Sequence, residues 1–410
     1  MFPAQLDTAH RSSIGCTDLH RCGFAVAVVQ SVPIPGAVTD RSPPLVVPPR
    51  PGSKMFVFKE TEHPDGGAPR TFAFTDVDIL PRGYDELAKA KLHAAVTIPL
   101  EMFNGRIVDT DVEGVDLSKY AHITATLESP FTAKAIGLVR GGWLPSALAA
   151  TREHAVVLPD RNIVSEIAGR FENGRKTGRE PDFLDLFASE PVRINPLLFA
   201  MEGNSRTLPD PASAQAQLEE AIAKIGSALP KAEIMIGPMS LTGLLGLIED
   251  TRPGLARKQV FLRGMAPALA APVARAQIDR RWSEVLAAAD ANAVPRSSLV
   301  VLAVLSTLVN PGKCAAKKLL KFHAGYGDTD AYNALCDLRS LDILLHCLAF
   351  YPDHDTQLCT ADRNLALFWT GLQATNIARD GQGIRYTMTP HEALLPGAYG
   401  ERWAEAVNRS

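Results

Sequence analysis

A chain of 410 residues is longer than one minimal domain, and the length predicts two or three folded units. An apolar share of 46% and a charged share of 21% are those of an ordinary globular protein. A formal net charge of −3 excludes a global basic field, so any nucleic-acid binding must use a local patch.

The six cysteines, Cys16, Cys22, Cys314, Cys336, Cys347 and Cys359, include no CxxC pair and mostly lie in apolar surroundings. They read as reduced core thiols rather than zinc ligands or disulfides, which fits a cytoplasmic chain. The longest apolar run, Leu299–Val309, has 11 residues and predicts a buried helix rather than a membrane span. Phe24–Val29 is too short and lacks the small-residue cleavage site of a secretory signal.

Residues 1–53 contain no lysine and are crowded with proline between Val32 and Gly52, which predicts a disordered or extended segment. Residues 54–150 are expected to form a small α+β module. Met55–Lys59 and Thr71–Phe74 alternate like strands around a Pro64–Gly67 turn; Tyr84–His93 reads as a helix and Ala121–Leu127 as a strand. No catalytic constellation stands out there.

From 151 to 410 the pattern changes. Ala155–Leu158 is a short buried strand, followed by Pro159, Asp160, Arg161 and Asn162 and then by helical spacing over Ile163–Phe171. At minimum Asp160 is positioned to cap that helix. Gly169–Thr177 nearly spells a phosphate-binding loop, but Arg175 holds the lysine position and a helix precedes it, so it reads as a polar loop. Leu197–Met201 is apolar and runs into Glu202. Residues from about 210 to 325 look helical throughout, with amphipathic spacing over Gln215–Ile225 and Val273–Ala289. Lys313, Lys317, Lys318 and Lys321 make a basic face at helical spacing, read as solvated, with a phosphate-contacting surface as the alternative.

Asp330–Phe350 reads as one helix with a leucine stripe and two acids, Asp337 and Asp342. A carboxylate flanked by leucines needs a reason, because burying it unpaired is costly. Five residues apart, the two acids lie about 140° apart around the helix and should serve different roles. His346 and His354 form no His-x3-His pair, which argues against a histidine metal site. Gln357–Phe368, QLCTADRNLALF, repeats the earlier layout: the end of a buried strand, then Thr360 and Asp362 on the turn, then a helix. Open α/β sheets gather their chemistry at that edge. Ile384–Met388 reads as a last strand.

The ordered set Asp160, Glu202 42 residues on, Asp342, and Thr360 with Asp362 20 residues beyond Asp342 resembles the PIN-domain family of metal-dependent ribonucleases. VVLPDRN, LDILLHCLA and CTADRN carry the resemblance, over residues 154–205 and 330–395. The chain departs from the family at Arg161, where a small Thr or Ser is usual, and Asp337 competes with Asp342 for the third acid; Ala349 downstream favours Asp342.

The resemblance implies a three-layer α/β/α sandwich around a mainly parallel sheet, with residues of about 210–325 as a helical insertion. It implies hydrolysis of RNA phosphodiester bonds with Mg²⁺ or Mn²⁺, with DNA as an alternative substrate. Two ions roughly 3.5–4 Å apart would activate water and steady the leaving oxygen. Asp160 and Asp362 would be primary ligands, Glu202 and Asp342 would complete the cage, and Thr360 and Asn162 would orient ligands or a water. A toxin or defence effector fits this activity, with a homo-oligomer or an inhibitory protein as expected partners and no membrane. A PIN-like scaffold that binds RNA or protein without catalysis is the rival expectation.

Overall fold

The computed structural model describes residues 71–408 except 76, 118, 119, 130, 153, 190 and 313, together with the strands Ala25–Ala27 and Phe56–Lys59. The proline-rich segment, the Pro64–Gly67 turn, Cys16, Cys22 and Lys313 lie outside the described residues.

The N-terminal module is built on a six-stranded sheet in the order Ala25–Ala27, Phe56–Lys59, Thr71–Thr75, Val96–Thr110 and Asp78–Ile79, with Tyr120–Ser129 also paired to Val96–Thr110. The long strand Val96–Thr110 organises it. Val96, Ile98, Leu100 and Met102 are all buried at the period of two that a pleated strand imposes, so one face packs inward. Pro99 is compatible with it because, among the described residues, residues 96–100 pair only with Tyr120–Ser129, and a strand edge tolerates a missing N–H.

The second sheet runs Glu233–Ile234, Arg193–Ile194, Val156–Pro159, Thr356–Thr360, Ile136–Val139, Gly142–Pro145. The first four are mutually parallel, and the last two are joined on by antiparallel pairing, so the chain is mixed α/β with a sheet that combines parallel and antiparallel pairs. The antiparallel hairpin comes from the segment that the sequence assigned to the N-terminal module, so the boundary expected at 150 cuts through this sheet. Its seam is polar and buried. Ser146 donates through Oγ to Gln357 Oε1 at 3.1 Å, and Gln357 Nε2 donates to the Ser146 carbonyl at 3.1 Å. Gly137 leaves the space this pair occupies, since a Cβ there would collide with Gln357 Oε1.

The helices follow the apolar periodicity closely. They include Arg161–Arg170, Leu197–Glu202, Pro211–Ala228, Ser240–Leu269, Ile278–Ala291, Leu299–Val309, Asp328–Phe350 and Arg363–Leu372. Leu299–Val309 is buried at every position but its last. Among the described residues no helix is long and apolar enough to cross a membrane.

Three local expectations change. The stretch read as helical throughout contains the strand Glu233–Ile234, which is too short to show alternation and is held by pairing with Arg193–Ile194. The expected last strand, Gly383–Thr387 in the structure, pairs with Thr375–Asp380 as a separate hairpin and adds nothing to the main sheet. The polar loop at 169–177 is a small hairpin, Phe171–Glu172 with Arg175–Lys176. Asn173 and Gly174 both have positive φ (50° and 74°), which suits the right-handed twist of such a turn.

Val156–Pro159 and Thr356–Thr360 therefore lie side by side in the middle of the sheet, with Arg193–Ile194 flanking one and the hairpin the other. The backbone leaves both strands at the same edge, and an open crevice there is where side chains from distant parts of the chain can meet.

Candidate active site

Two acids stand at that edge for the same local reason. Asp160 ends the first strand and caps the helix Arg161–Arg170, its Oδ1 accepting the Ile163 N–H at 2.8 Å. Asp362 ends the second and caps Arg363–Leu372, its Oδ1 accepting the N–H groups of Asn364 at 2.7 Å and Leu365 at 3.2 Å. Such caps are worth about 1 kcal/mol each. Thr360, fully buried, ties the two together: its hydroxyl accepts the Asp362 N–H at 2.9 Å and hydrogen-bonds the Asp160 carboxylate.

Glu202 ends the short helix Leu197–Glu202, and the chain turns away through Gly203 at φ 70°. Two side chains of the long helix hold that turn. Tyr332 donates its hydroxyl to the Glu202 carbonyl at 2.9 Å, and Arg339 donates Nη2 to the Met201 carbonyl at 3.1 Å. Arg161 holds it from the other side. Its guanidinium donates to the Gly203 carbonyl at 3.1 Å, to Gln217 Oε1 at 2.8 Å and to Asn204 Oδ1, and sits 4.2 Å from the Phe199 ring centroid. The residue that departs from the family pattern thus points into the Glu202 turn and clamps it.

Of the two candidate acids on the helix Asp328–Phe350, Asp337 and not Asp342 lines the pocket with Asp160 and Glu202. Asp160, Asn162, Glu202, Asp337 and Arg339 line one narrow pocket of about 40 Å³. Asp342, on the other face of the helix as its spacing requires, instead accepts an ion pair from Lys258 Nζ at 3.1 Å. The match of Asp342 to Ala349 downstream does not decide the matter, because the helix Ser240–Leu269 brings the lysine that takes Asp342. His346 is exposed on the same helix, outside the pocket.

The carboxyls of this cluster are strained. Burial, followed by the charges of Asp362, Glu202 and Asp160, pushes Asp337 up to about 8, with Lys321 opposing. Burial pushes Asp160 up to about 6 against the bonds from Thr360 and Ile163, with Asp362 adding to the rise. Asp160 keeps some open surface in the pocket but lies beneath enough protein to lose most of its solvation. Glu202 is also raised, by burial and then by Asp160, against Arg161 and Arg339. Of the expected lysine face, Lys321 is the member whose charge reaches Asp337, whereas Lys317 donates to the Pro311 carbonyl. Cys336 shares the pocket, but burial lifts its thiol to about 12, so it is no nucleophile near neutral pH.

Among the described residues no three Asp, Glu, His or Cys side chains are drawn together tightly enough to ligate an ion as they stand. Their chemistry nevertheless fits Mg²⁺ or Mn²⁺. The donors are hard carboxylate oxygens, the pocket has room for an ion and a few waters, and a cation would offset the burial and the repulsion that together raise Asp160, Glu202 and Asp337. Beyond Asn162 and Ala361 lies a larger cavity of about 480 Å³ that also meets Lys134, Arg170 and Arg179. No family model, curated protein or solved structure matches the chain.

Proposed function

We propose that the chain is a divalent-metal-dependent nuclease that hydrolyses RNA phosphodiester bonds at the acid pocket, on a PIN-like three-layer α/β/α framework. The observation that carries this reading is the convergence of Asp160, Glu202 and Asp337, with Asp362 close enough to raise two of them, at the shared edge of the two central parallel strands. Acid clusters of this kind are expensive to bury, and a structural role would be served better by apolar side chains.

In this reading Asp160, Glu202, Asp337 and Asp362 would hold Mg²⁺ or Mn²⁺, which would supply an activated water and positive charge for the phosphate. Thr360 would orient the Asp160 carboxylate, and Arg161, Tyr332 and Arg339 hold the backbone that carries Glu202 beside it. The water oxygen forms a new bond to phosphorus as the bridging P–O bond breaks. The products are a phosphate monoester and a free hydroxyl. The neighbouring cavity has the size of a ligand site and offers room for a nucleotide flanking the cleaved bond.

The test is cleavage of mixed structured and single-stranded RNA with Mn²⁺, then of DNA, by the natural protein and by Asp160→Asn. Metal-dependent cleavage that disappears in the variant supports the reading. Equal cleavage by both places the chemistry elsewhere, and no cleavage of either nucleic acid leaves a binding scaffold.

A further inference from the structure

On the open wall of the cavity beside the acid pocket, unused donors outnumber unused acceptors. That cavity has about 480 Å³, and Asn162 lines both spaces. Most of its acids are occupied. Glu166 accepts from Arg170 and Arg179, and the buried Asp182 carboxylate accepts from the Thr132 hydroxyl and from the N–H groups of Lys134 and Leu184. Glu180, 77% exposed, is the acid that stays open. Arg170 is also occupied, by Glu166, Asp185 and the Glu180 carbonyl. The other donors are not. Arg179, with 44% of its side chain exposed, gives Nη1 to Glu166 and keeps Nε and Nη2 without a partner among the described residues. Lys134 reaches only Glu180, at 3.5 Å in an exposed pair that contributes little. The Asn162 amide and the His93 imidazole have no hydrogen-bond partner among the described residues.

Two features hold this wall in place. A Cβ at Gly169 would lie 2.5 Å from Arg179 Nη2, so the bare backbone of the helix Arg161–Arg170 is the seat of the guanidinium. The Ala133 N–H donates to the Leu92 carbonyl at 2.9 Å, which sets His93 of the N-terminal module beside Lys134. We propose, resting on the nuclease reading, that the cavity holds the nucleotide next to the cleaved bond, with its phosphate on Arg179 and Lys134. Nε and Nη2 share one edge of the Arg179 guanidinium, a fork that matches two phosphate oxygens, and Lys134 adds a point charge. Asn162, common to both spaces, is placed to donate to the sugar–phosphate chain that passes between them. Ala135, Ile163 and Leu184 supply apolar surface for the base or sugar, and the volume lies in the range of small-ligand sites.

The experiment measures binding of uridine 5′-monophosphate to the full chain by calorimetry in a chelator, so that no ion at the acid pocket takes part. The natural protein should bind it about tenfold or more tightly than uridine, because the free donors go to the phosphate. Arg179→Gln should weaken that binding about tenfold or more, the effect of one charge-assisted hydrogen bond, and Lys134→Gln about threefold or more. Gly169→Ala, whose methyl group displaces the guanidinium from its seat, should weaken it as well. No binding of the monophosphate, equal binding of uridine, or unchanged binding by Arg179→Gln and Gly169→Ala would overturn the inference; Mn²⁺-dependent cleavage by the natural protein would then leave the nuclease reading standing. No cleavage of RNA or DNA by the natural protein would overturn that reading, and with it the place of this subsite beside a cleaved bond. Melting curves check that the variants are folded; should Gly169→Ala not fold, Arg179→Gln and the comparison with uridine decide.

Discussion

Replacing Asp337 by Asn should make the metal-free protein more stable at mildly alkaline pH, although it removes a residue of the site. In the unfolded chain this carboxyl loses its proton near the ordinary 3.8, whereas in the fold it keeps it until about 8. Between those values the folded state binds more protons than the unfolded one. The contribution to stability is therefore full below the unfolded value and is lost as pH rises through the folded one. A span of about 4 pH units at roughly 1.4 kcal/mol each sets a ceiling near 6 kcal/mol. Relaxation of the pocket and entry of water reduce this to about 2–3 kcal/mol, in line with the weakened interactions measured at partly solvated sites. Asn keeps the shape without the charge. Urea unfolding in a chelator at about pH 5 and about pH 8.5 should show the natural protein losing stability between the two, with the variant ahead by about 2–3 kcal/mol at the higher value. Saturating Mn²⁺ should reverse the order, because only the intact site gains from the ion. A variant that is less stable at the higher pH without metal, or that keeps the full pH slope, would refute the account of strained carboxyls.

Asp342→Asn should leave Mn²⁺-dependent cleavage within about threefold of the natural rate and cost under about 1 kcal/mol, since it loses only a half-buried pair with Lys258; the two mutants Asp342→Asn and Asp160→Asn compared in one cleavage assay check this. Arg161→Ala should weaken Mn²⁺ binding about 10-fold or more by releasing the Glu202 turn, measured by calorimetry, and Arg161→Lys should fail to restore it because one ammonium cannot span three acceptors. Gly137→Ala should cost about 2–4 kcal/mol in thermal unfolding, because its methyl group must displace the Gln357 amide from its buried partners.

Much of the site was legible because its first parts are local. A buried strand, an acid, an Asn and a helix recur at Asp160 and Asp362, and the same grammar that signals a helix cap also delivers a carboxylate to the sheet edge. The third acid was not legible to the same degree. Periodicity separates Asp337 from Asp342 onto different faces, but which face meets the pocket depends on Lys258, 84 residues before Asp342, and no local pattern carries that information. Arg339 was passed over for a related reason: beside leucines on a helix, an arginine looks like a solvated residue until a neighbouring turn closes over it. The hairpin Ile136–Pro145 is buried at every strand position, so it has no alternation to reveal, and its one local signal is the Arg140–Gly141 turn between two apolar tetrads.

The pairing of Val156–Pro159 with Thr356–Thr360 has a consequence for biosynthesis. Asp160 and Glu202 leave the ribosome long before Asp337 and Asp362, and neither early acid has its partner strand or helix until translation has passed the second central strand. At synthesis rates of about 5–20 residues per second, that interval lasts on the order of ten seconds or more. Throughout it the nascent chain carries only part of the acid pocket. On the nuclease reading proposed above, such a chain would be unable to attack the message or the ribosomal RNA around it until the second central strand has been made and paired.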